Sequence, residues 1–456
     1  MKRNIITLAI TTLMLSSCGI YTKYQPATTV PEDLFGAAET VSDTIHNIAK
    51  LNWRQLFVDP HLQSLIEQGL RNNTDLQSAH WRVEEARASL SSARLAYLPS
   101  FAFSPQGTVS SFDKGKAGQS YSLPITSSWE IDIFGRLTNA NRRAKALYIQ
   151  SQEYEIAVKT QLIANLANTY YTLLMLDAQL TISEETEVKW KESVRVMQAL
   201  KNAGQGNEAG LAQTEATYYS ICTTVLDLKE QIRQAENSLC LMLGETPQFI
   251  RRGTLDGQVL PQDLSVGIPL QLLANRPDVR SSELALAQAF YTTNEARSAF
   301  YPSITLSGSA GWTNSAGSAI INPGKLLASA VGSLTQPLFY RGQNIARLKA
   351  AKAQEESAKL SFQQALLNAG SEVSNALSLY QKTSEKVESR RLQVESAKKA
   401  SEDTKELFNL GTSTYLEVLS AQQAYLSAQI SQVSDCFDRM QAVVSLYQAL
   451  GGGREE

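Results

Sequence analysis

Charge of neither sign dominates this 456-residue chain, in which Lys and Arg total 42 against 44 Asp and Glu for a formal net charge of -2. A protein that holds nucleic acid by neutralising phosphates needs a basic surplus, so nucleic acid is excluded as a partner. Histidine is scarce. His46, His61 and His80 all lie far from any cysteine, so no short-spaced set of metal ligands is visible and no cofactor is implied. Beyond Cys18 the cysteines are Cys222, Cys240 and Cys436. Their odd number and helical surroundings favour small core residues over a disulfide framework, with a Cys240 to Cys436 bridge as the alternative. No nucleophile with a neighbouring base stands out, which leaves a hydrolase without residues to rest on. With 13 Pro and 25 Gly the chain is not a disordered one, and 43% hydrophobic residues can bury a core.

The N-terminus reads as an export signal. Lys2 and Arg3 precede an apolar run from Ile5 to Leu15, too short to cross a bilayer as a helix. Leu15-Ser16-Ser17-Cys18 looks like a bacterial lipobox, which implies removal of residues 1–17 and a lipid on the Cys18 thiol. Gly19 follows, where an Asp would point to inner-membrane retention. The alternative is an ordinary secretory signal with a chance cysteine.

What the rest of the chain does contain is itself, twice. Asp75 to Ser100 aligns with Asp278 to Ser303, placing Arg94 on Arg297 and Pro99 on Pro302, 203 positions apart. Gly206 falls on Gly411 and Leu211 on Leu416 at an offset of 205, and Leu243-Gly244 on Leu450-Gly451 at 207. A tandem duplication with small loop insertions accounts for this. It divides the chain into an N-terminal segment 18–60, a first repeat 61–245, a linker 246–270, a second repeat 271–451 and a tail 452–456.

Within each repeat the periodicity changes in a fixed order. A helical pattern stops at Leu98-Pro99 or Tyr301-Pro302, since proline disfavours helix in the residue before it. Alternation follows, with Tyr121, Leu123, Ile125, Trp129, Ile131 and Ile133 opposed to Ser122, Thr126, Ser128, Glu130 and Asp132. In the second repeat Ile304, Leu306, Ala310 and Trp312 oppose Ser303, Thr305, Ser307, Ser309 and Thr313. These predict two strands per repeat, near 100–134 and 303–339, joined through polar tips at Asp113 to Gln119 and Ser315 to Lys325. Helical spacing then runs from about Leu137 to Lys201 and from about Asn344 to Asn409, roughly 100 Å at 1.5 Å per residue. Each long helix turns at a short glycine-containing link and returns as a second helix ending at Gly244 or Gly451.

Four strands with one apolar and one polar face leave open edges. In lipid each unpaired edge amide costs several kcal/mol, so the sheet must close, and one chain has too few strands for the smallest barrels. A symmetric dimer or trimer would supply eight or twelve. The expected fold is therefore mainly α with a transmembrane β-barrel, shared between copies and continued by long helices.

The residues that follow carry a resemblance. Trp53 to Phe57 with Asp59-Pro60, Ser128 to Arg136, Asn275-Arg276-Pro277-Asp278-Val279-Arg280, Ala299 to Ile304, Gln336 to Phe339, and Gly411 with Tyr415 to Leu419 together resemble the TolC-like outer-membrane efflux factors, in their lipoprotein branch. The resemblance implies a homotrimer with twelve strands in the bacterial outer membrane and twelve helices in a periplasmic tunnel. A mixed equatorial region would fall at Thr246 to Pro269 and the chain ends. It implies the exit duct of a tripartite efflux pump, working with a periplasmic membrane-fusion adaptor and an inner-membrane pump. A duct for protein secretion shares that architecture and is the alternative.

The resemblance also implies a periplasmic gate. Glu417 falls on an acidic ring position and Phe408 on an aromatic that holds the closed state. Ser413 stands where an arginine can occur and Ser420 where a second acidic ring can occur, so the closing network would be built differently here. The tips, with Gly204, Gly206, Gly411 and Thr412, would dock the adaptor. The plainer readings are a solvated helix face for Glu417 and simple helix caps for the glycines. Gly204, Gly206 and Gly210 do not form a dinucleotide site, since no strand precedes them. Glu130 and Asp132, two apart on one strand face, fit a strand-to-helix junction better than an acid/base pair.

Overall fold

The structure, a computed structural model, describes residues 24–25, 52–111, 115–258, 276–313, 325–452 and 454. Cys18 and the signal segment, linker residues 259–270 and the strand tips at 112–114 and 314–324 lie outside them. Two compact units emerge. Among the described residues, one holds 24–25, 81–111, 115–153, 280–313 and 325–365, the other 52–80, 154–258, 276–279, 366–452 and 454.

The order of elements repeats. Two short helices, α1 (Trp53–Leu56) and α2 (Pro60–Asn72), lead into α3 (Thr74–Leu95), strands β1 (Ser100–Phe103), β2 (Gln106–Ser110) and β3 (Gly118–Ile131), then α4 (Arg136–Asn202) and α5 (Glu208–Leu243). The second half gives α6 (Pro277–Ser298), β4 (Ser303–Thr313), β5 (Lys325–Thr335), α7 (Gln343–Asn409) and α8 (Tyr415–Ala449). Helices α4 and α7 each run 67 residues. Neither contains a proline and only Gly370 interrupts their side chains, so nothing in their interiors breaks the hydrogen-bond ladder.

The first unit is built on one antiparallel sheet in the order β1, β3, β4, β5, with β2 also on β3. Where one strand is expected near residue 100, two segments form. They separate at Ser104-Pro105, because proline cannot donate to a ladder. The register does not slip: Ser100 faces Ser128 before the break and Gln106 faces Ser122 after it. The Ser104 amide spans the gap to the Pro124 carbonyl at 3.1 Å. The preceding helices end earlier than their Leu-Pro and Tyr-Pro steps, at Leu95 and Ser298. Next to the sheet, Arg143 of α4 donates to Glu295 of α6 at 2.8 Å, and Gln150 donates to the Ser281 carbonyl at 3.0 Å.

The second unit is helical. Its core gathers Trp53, Phe57, Leu62 and Ile66 from the N-terminal side against Ile163, Leu166, Tyr170 and Leu173 of α4 and Leu446 and Tyr447 of α8, all buried. The Phe57 ring meets the Tyr447 edge at 5.8 Å. Asp59 caps α2 by accepting from the His61 amide, and its other oxygen accepts from Tyr170 and Gln258. Those bonds hold its carboxyl below the usual range against the opposing effect of burial, while burial first and then the bond to Asp59 push the phenol of Tyr170 upward. Arg276, buried, donates to Asp278, Glu372 and the Ala449 carbonyl, tying the start of α6 to α7 and to the end of α8. Cys222, Cys240 and Cys436 are free thiols, so the bridge considered above does not form.

The structure also corrects the alignment of the repeats. Helices α4 and α7 begin and end 207 positions apart, and so do the starts of β3 and β5, whereas α3 and α6, like β1 and β4, start 203 apart. The drift is thus one step of four residues located in the tip between the two strands of each repeat, with no intermediate offset of 205.

Candidate functional site

Two surfaces carry the chemistry. In the sheet, antiparallel register puts like with like. Leu123 faces Trp312, Ile125 faces Ala310, Trp129 faces Leu306 and Ile131 faces Ile304. On the opposite face Thr126 meets Ser309, Ser128 meets Ser307 and Glu130 meets Thr305. The alternation continues onto β5, where Ser309 and Ser329 share a hydroxyl hydrogen bond of 2.7 Å. This polar face forms a shallow trough of about 310 Å³ bordered by Ser100, Thr126, Ser128, Ser307, Ser309 and Ser329.

The apolar face is bare: Phe101 is 71% exposed, Phe103 64% and Trp312 49%. In water a patch of this kind demands a cover. The sheet also ends on both sides, at β1 and β2 and at β5, in rows of unpaired amides and carbonyls. Glu130 and Asp132 are both occupied structurally. Glu130 accepts from Arg136, and Asp132 caps α4 through the amides of Leu137 and Thr138. They form no acid/base pair.

At the helical tips the two links turn by the same motif. The amide of Gln205 bonds the Leu200 carbonyl while that of Gly204 bonds Lys201, and Thr412 bonds Leu407 while Gly411 bonds Phe408. Gly204 and Gly411 take left-handed φ of 75° and 76°, the conformation this helix end requires. Gly204, and not Gly206, is therefore the counterpart of Gly411. A Cβ on Gly206 would meet the Lys201 amide nitrogen at 3.1 Å, so its role is close approach of the backbone. Thr412 is exposed on its tip.

Phe408, half-buried, packs edge-on against Tyr415 at 5.1 Å. Glu417 is tied in a capping box: its carboxylate accepts from the Thr414 amide at 2.9 Å and from the Ser413 hydroxyl, and its own amide donates back to Thr414. The Ser413 hydroxyl and then the Thr414 amide hold the Glu417 carboxyl below its ordinary range. Thr414-x-x-Glu417 is the sequence signature of this cap, and it was the signal available for Thr414. Ser420 stands apart from this cluster. It borders a groove of about 920 Å³ between α5 and α8 whose floor includes Trp190, with Gln213, Thr217 and Leu416 along its sides. Trp190, Ile221 and Leu419 form the buried cluster beneath.

No helix among the described residues is long and apolar enough to cross a membrane. A sheet with one bare apolar face, one hydroxyl-lined face and unpaired edges, joined to helical hairpins of this length, is the fold of an outer-membrane channel. The outer membrane efflux protein family matches residues 65–245 and again 268–452, more than half of the chain, and the chain belongs to that family. It is 29% identical to the cation efflux system protein CusC of Escherichia coli O6:H1 over 97% of both chains. It is 28% identical to the probable outer membrane lipoprotein SilC of Salmonella typhimurium, again over 97% of both. Among solved structures the outer-membrane channel OprN superposes with a TM-score of 0.86 at 28% identity, covering 95% of this chain and 99% of that one. The protein is thus an efflux channel component of the outer membrane and not an enzyme.

Proposed function

We propose that three copies of this chain close one twelve-stranded barrel and one periplasmic tunnel of twelve helices, forming the exit duct of a tripartite efflux pump for small molecules. The observation that carries this is the sheet of β1 to β5, bare and apolar on one face and open at both edges. Only closure in lipid satisfies both features. Two copies would give eight strands, whose interior side chains fill the bore; twelve leave a lumen lined by the Ser and Thr parity. Cys18 carries a lipid that anchors the chain beside the barrel, in keeping with the lipoprotein name of SilC. Palmitate labelling is expected in the full-length protein and lost in Cys18→Ala; labelling that persists removes the anchor.

The tips at Gly204, Gly206, Gly411 and Thr412 meet the periplasmic adaptor, and through it the inner-membrane pump. At the tunnel end three copies of Glu417 face the axis, assisted by Phe408 and Ser413, with Ser420 one turn further along. Three carboxylates near one axis repel each other and favour cations at the mouth. Because Glu417 titrates below its ordinary value, its cap is complete above the normal carboxylate range and is lost as pH falls through the lowered value. Purified protein in planar bilayers is expected to change its conductance and cation dependence in Glu417→Gln. Acidification should bring the unsubstituted channel toward the same behaviour. Identical traces for the two proteins at neutral pH would exclude a gating role.

A further inference from the structure

The internal repeat fixes more than the fold of one chain. Moving β1 and β2 forward by 203 positions gives β4, and moving β3 forward by 207 gives β5. Applied to a pair inside the first hairpin, the operation turns Ser100 opposite Ser128 into Ser303 opposite Thr335, and Gln106 opposite Ser122 into Ser309 opposite Ser329. Both products are pairs of the second hairpin. The repeat therefore preserves strand register residue for residue.

The same operation acts on the seam between the repeats, where β3 meets β4. Its β3 members move forward onto β5, and its β4 members move back onto β1 and β2. Ser122 opposite Thr313 becomes Ser329 opposite Ser110; Pro124 opposite Gly311 becomes Val331 opposite Thr108; Thr126 opposite Ser309 becomes Ser333 opposite Gln106. In one chain β5 and β1 are the two outer edges and do not meet. We propose that these are the pairs formed between copies, with the outer edge of β5 in one copy lying antiparallel against β1 and β2 of the next.

Two features agree, the first of them a parity that backbone direction and side-chain face share. The Ser104 amide points inward to Pro124, so by strand alternation the odd-numbered backbone groups of β1 and β2 point outward. Following the alternation across β3 and β4 leaves the even-numbered groups of β5 pointing outward. The proposed register brings Ala330 to Val109 and Gly332 to Gly107, outward groups on both sides. The faces also match, since Ser333 and Ser329 stay on the hydroxyl side and Ala330 and Val109 on the apolar side. Lastly, Leu338 is 94% exposed and Phe101 71% exposed, and the operation carries the Ile131 to Ile304 pair onto them. β5 stops at Thr335 in the single chain because β4 begins at its partner Ser303; the neighbouring edge extends it.

This register rests on the ring reading above, and the test separates the two. Cysteines are placed at Ser333 with Gln106, Ser333 with Ser104, or Ser333 with Thr108, in full-length protein whose Cys222, Cys240 and Cys436 are alanine. The Ser333 and Gln106 positions form a non-hydrogen-bonded pair, with Cα atoms about 4.5 Å apart and within disulfide reach. After mild oxidation in membranes, this pair should give dominant bands at two and three times the monomer mass on non-reducing gels, and these should collapse to the monomer on reduction. Stronger bands at Ser104 or Thr108 would overturn the register and leave the ring standing. A Ser128→Cys and Ser307→Cys protein serves as the control, since those two face each other within one chain. If its thiols are consumed while none of the three designed pairs links two copies, the edge pairing and the ring both fall.

Discussion

Gly311→Val is expected to abolish nearly all folded protein in the outer membrane, the largest loss for any single substitution in the sheet. Gly311 faces Pro124 across the seam between repeats. A Cβ there would lie 2.3 Å from the Leu123 carbonyl oxygen and 2.5 Å from the Pro124 Cα. Both are backbone atoms in the centre of a sheet, so no side chain can swing aside. Overpacking against movable groups costs roughly 1–3 kcal/mol, and backbone overlap exceeds that range because the strands themselves must separate. Separating β3 from β4 also breaks the ladder that joins the two hairpins. Gly308→Ala is the matched control: its Cβ would have only the Ser329 carbonyl within 4 Å, at 3.7 Å, and membrane levels should stay near those of the unsubstituted protein. Quantitative immunoblots of outer-membrane fractions check both. Normal levels of Gly311→Val would show that the seam tolerates a different strand spacing.

Asp435→Ala is the second large effect, and it acts through the helices. The Asp435 carboxylate on α8 is 4% exposed and receives Lys386 and Arg390, one turn apart on α7; the Arg390 Nε lies 2.6 Å away. Removing one member of a buried charge cluster costs about 3–5 kcal/mol because its partners stay behind desolvated. Lys386 is half-exposed and Arg390 about a fifth exposed, which places the expected loss near the lower end of that range, roughly 3 kcal/mol. Much of it should return when Asp435→Leu is combined with Lys386→Met and Arg390→Met, since an apolar set of similar volume needs no desolvation of charge. Denaturant titration of helical circular dichroism in detergent would read both variants. A single variant as stable as the parent would mean that water reaches the cluster.

Most of the fold was legible because it depends on periodicity. The 67-residue helices announce themselves through an absence of proline and a sustained apolar stripe, and their ends were placed to within a residue. The strands showed in the alternation of Ser and Thr against Ile, Leu and Trp. The break at Pro105 was also written in the sequence, since a proline inside a strand pattern removes a ladder donor. What periodicity does not report is backbone conformation and partnership. Gly206 was matched to Gly411 by residue type, whereas φ identifies Gly204 as its equivalent. Nothing in the periodicity marks Asp435 or Arg276 as buried, because their partners lie far away in sequence, Lys386 and Arg390 for the one and Glu372 for the other. Glu417 stood out through family resemblance, while its plainest role, the cap with Thr414, lay in a four-residue signature beside it.

The number of chains in the purified particle is the most direct measurement of whether this sheet closes by borrowing strands. Native mass spectrometry of the purified protein released from detergent should give one dominant species of three chains. A single chain that stays dispersed after detergent is removed would contradict the pore.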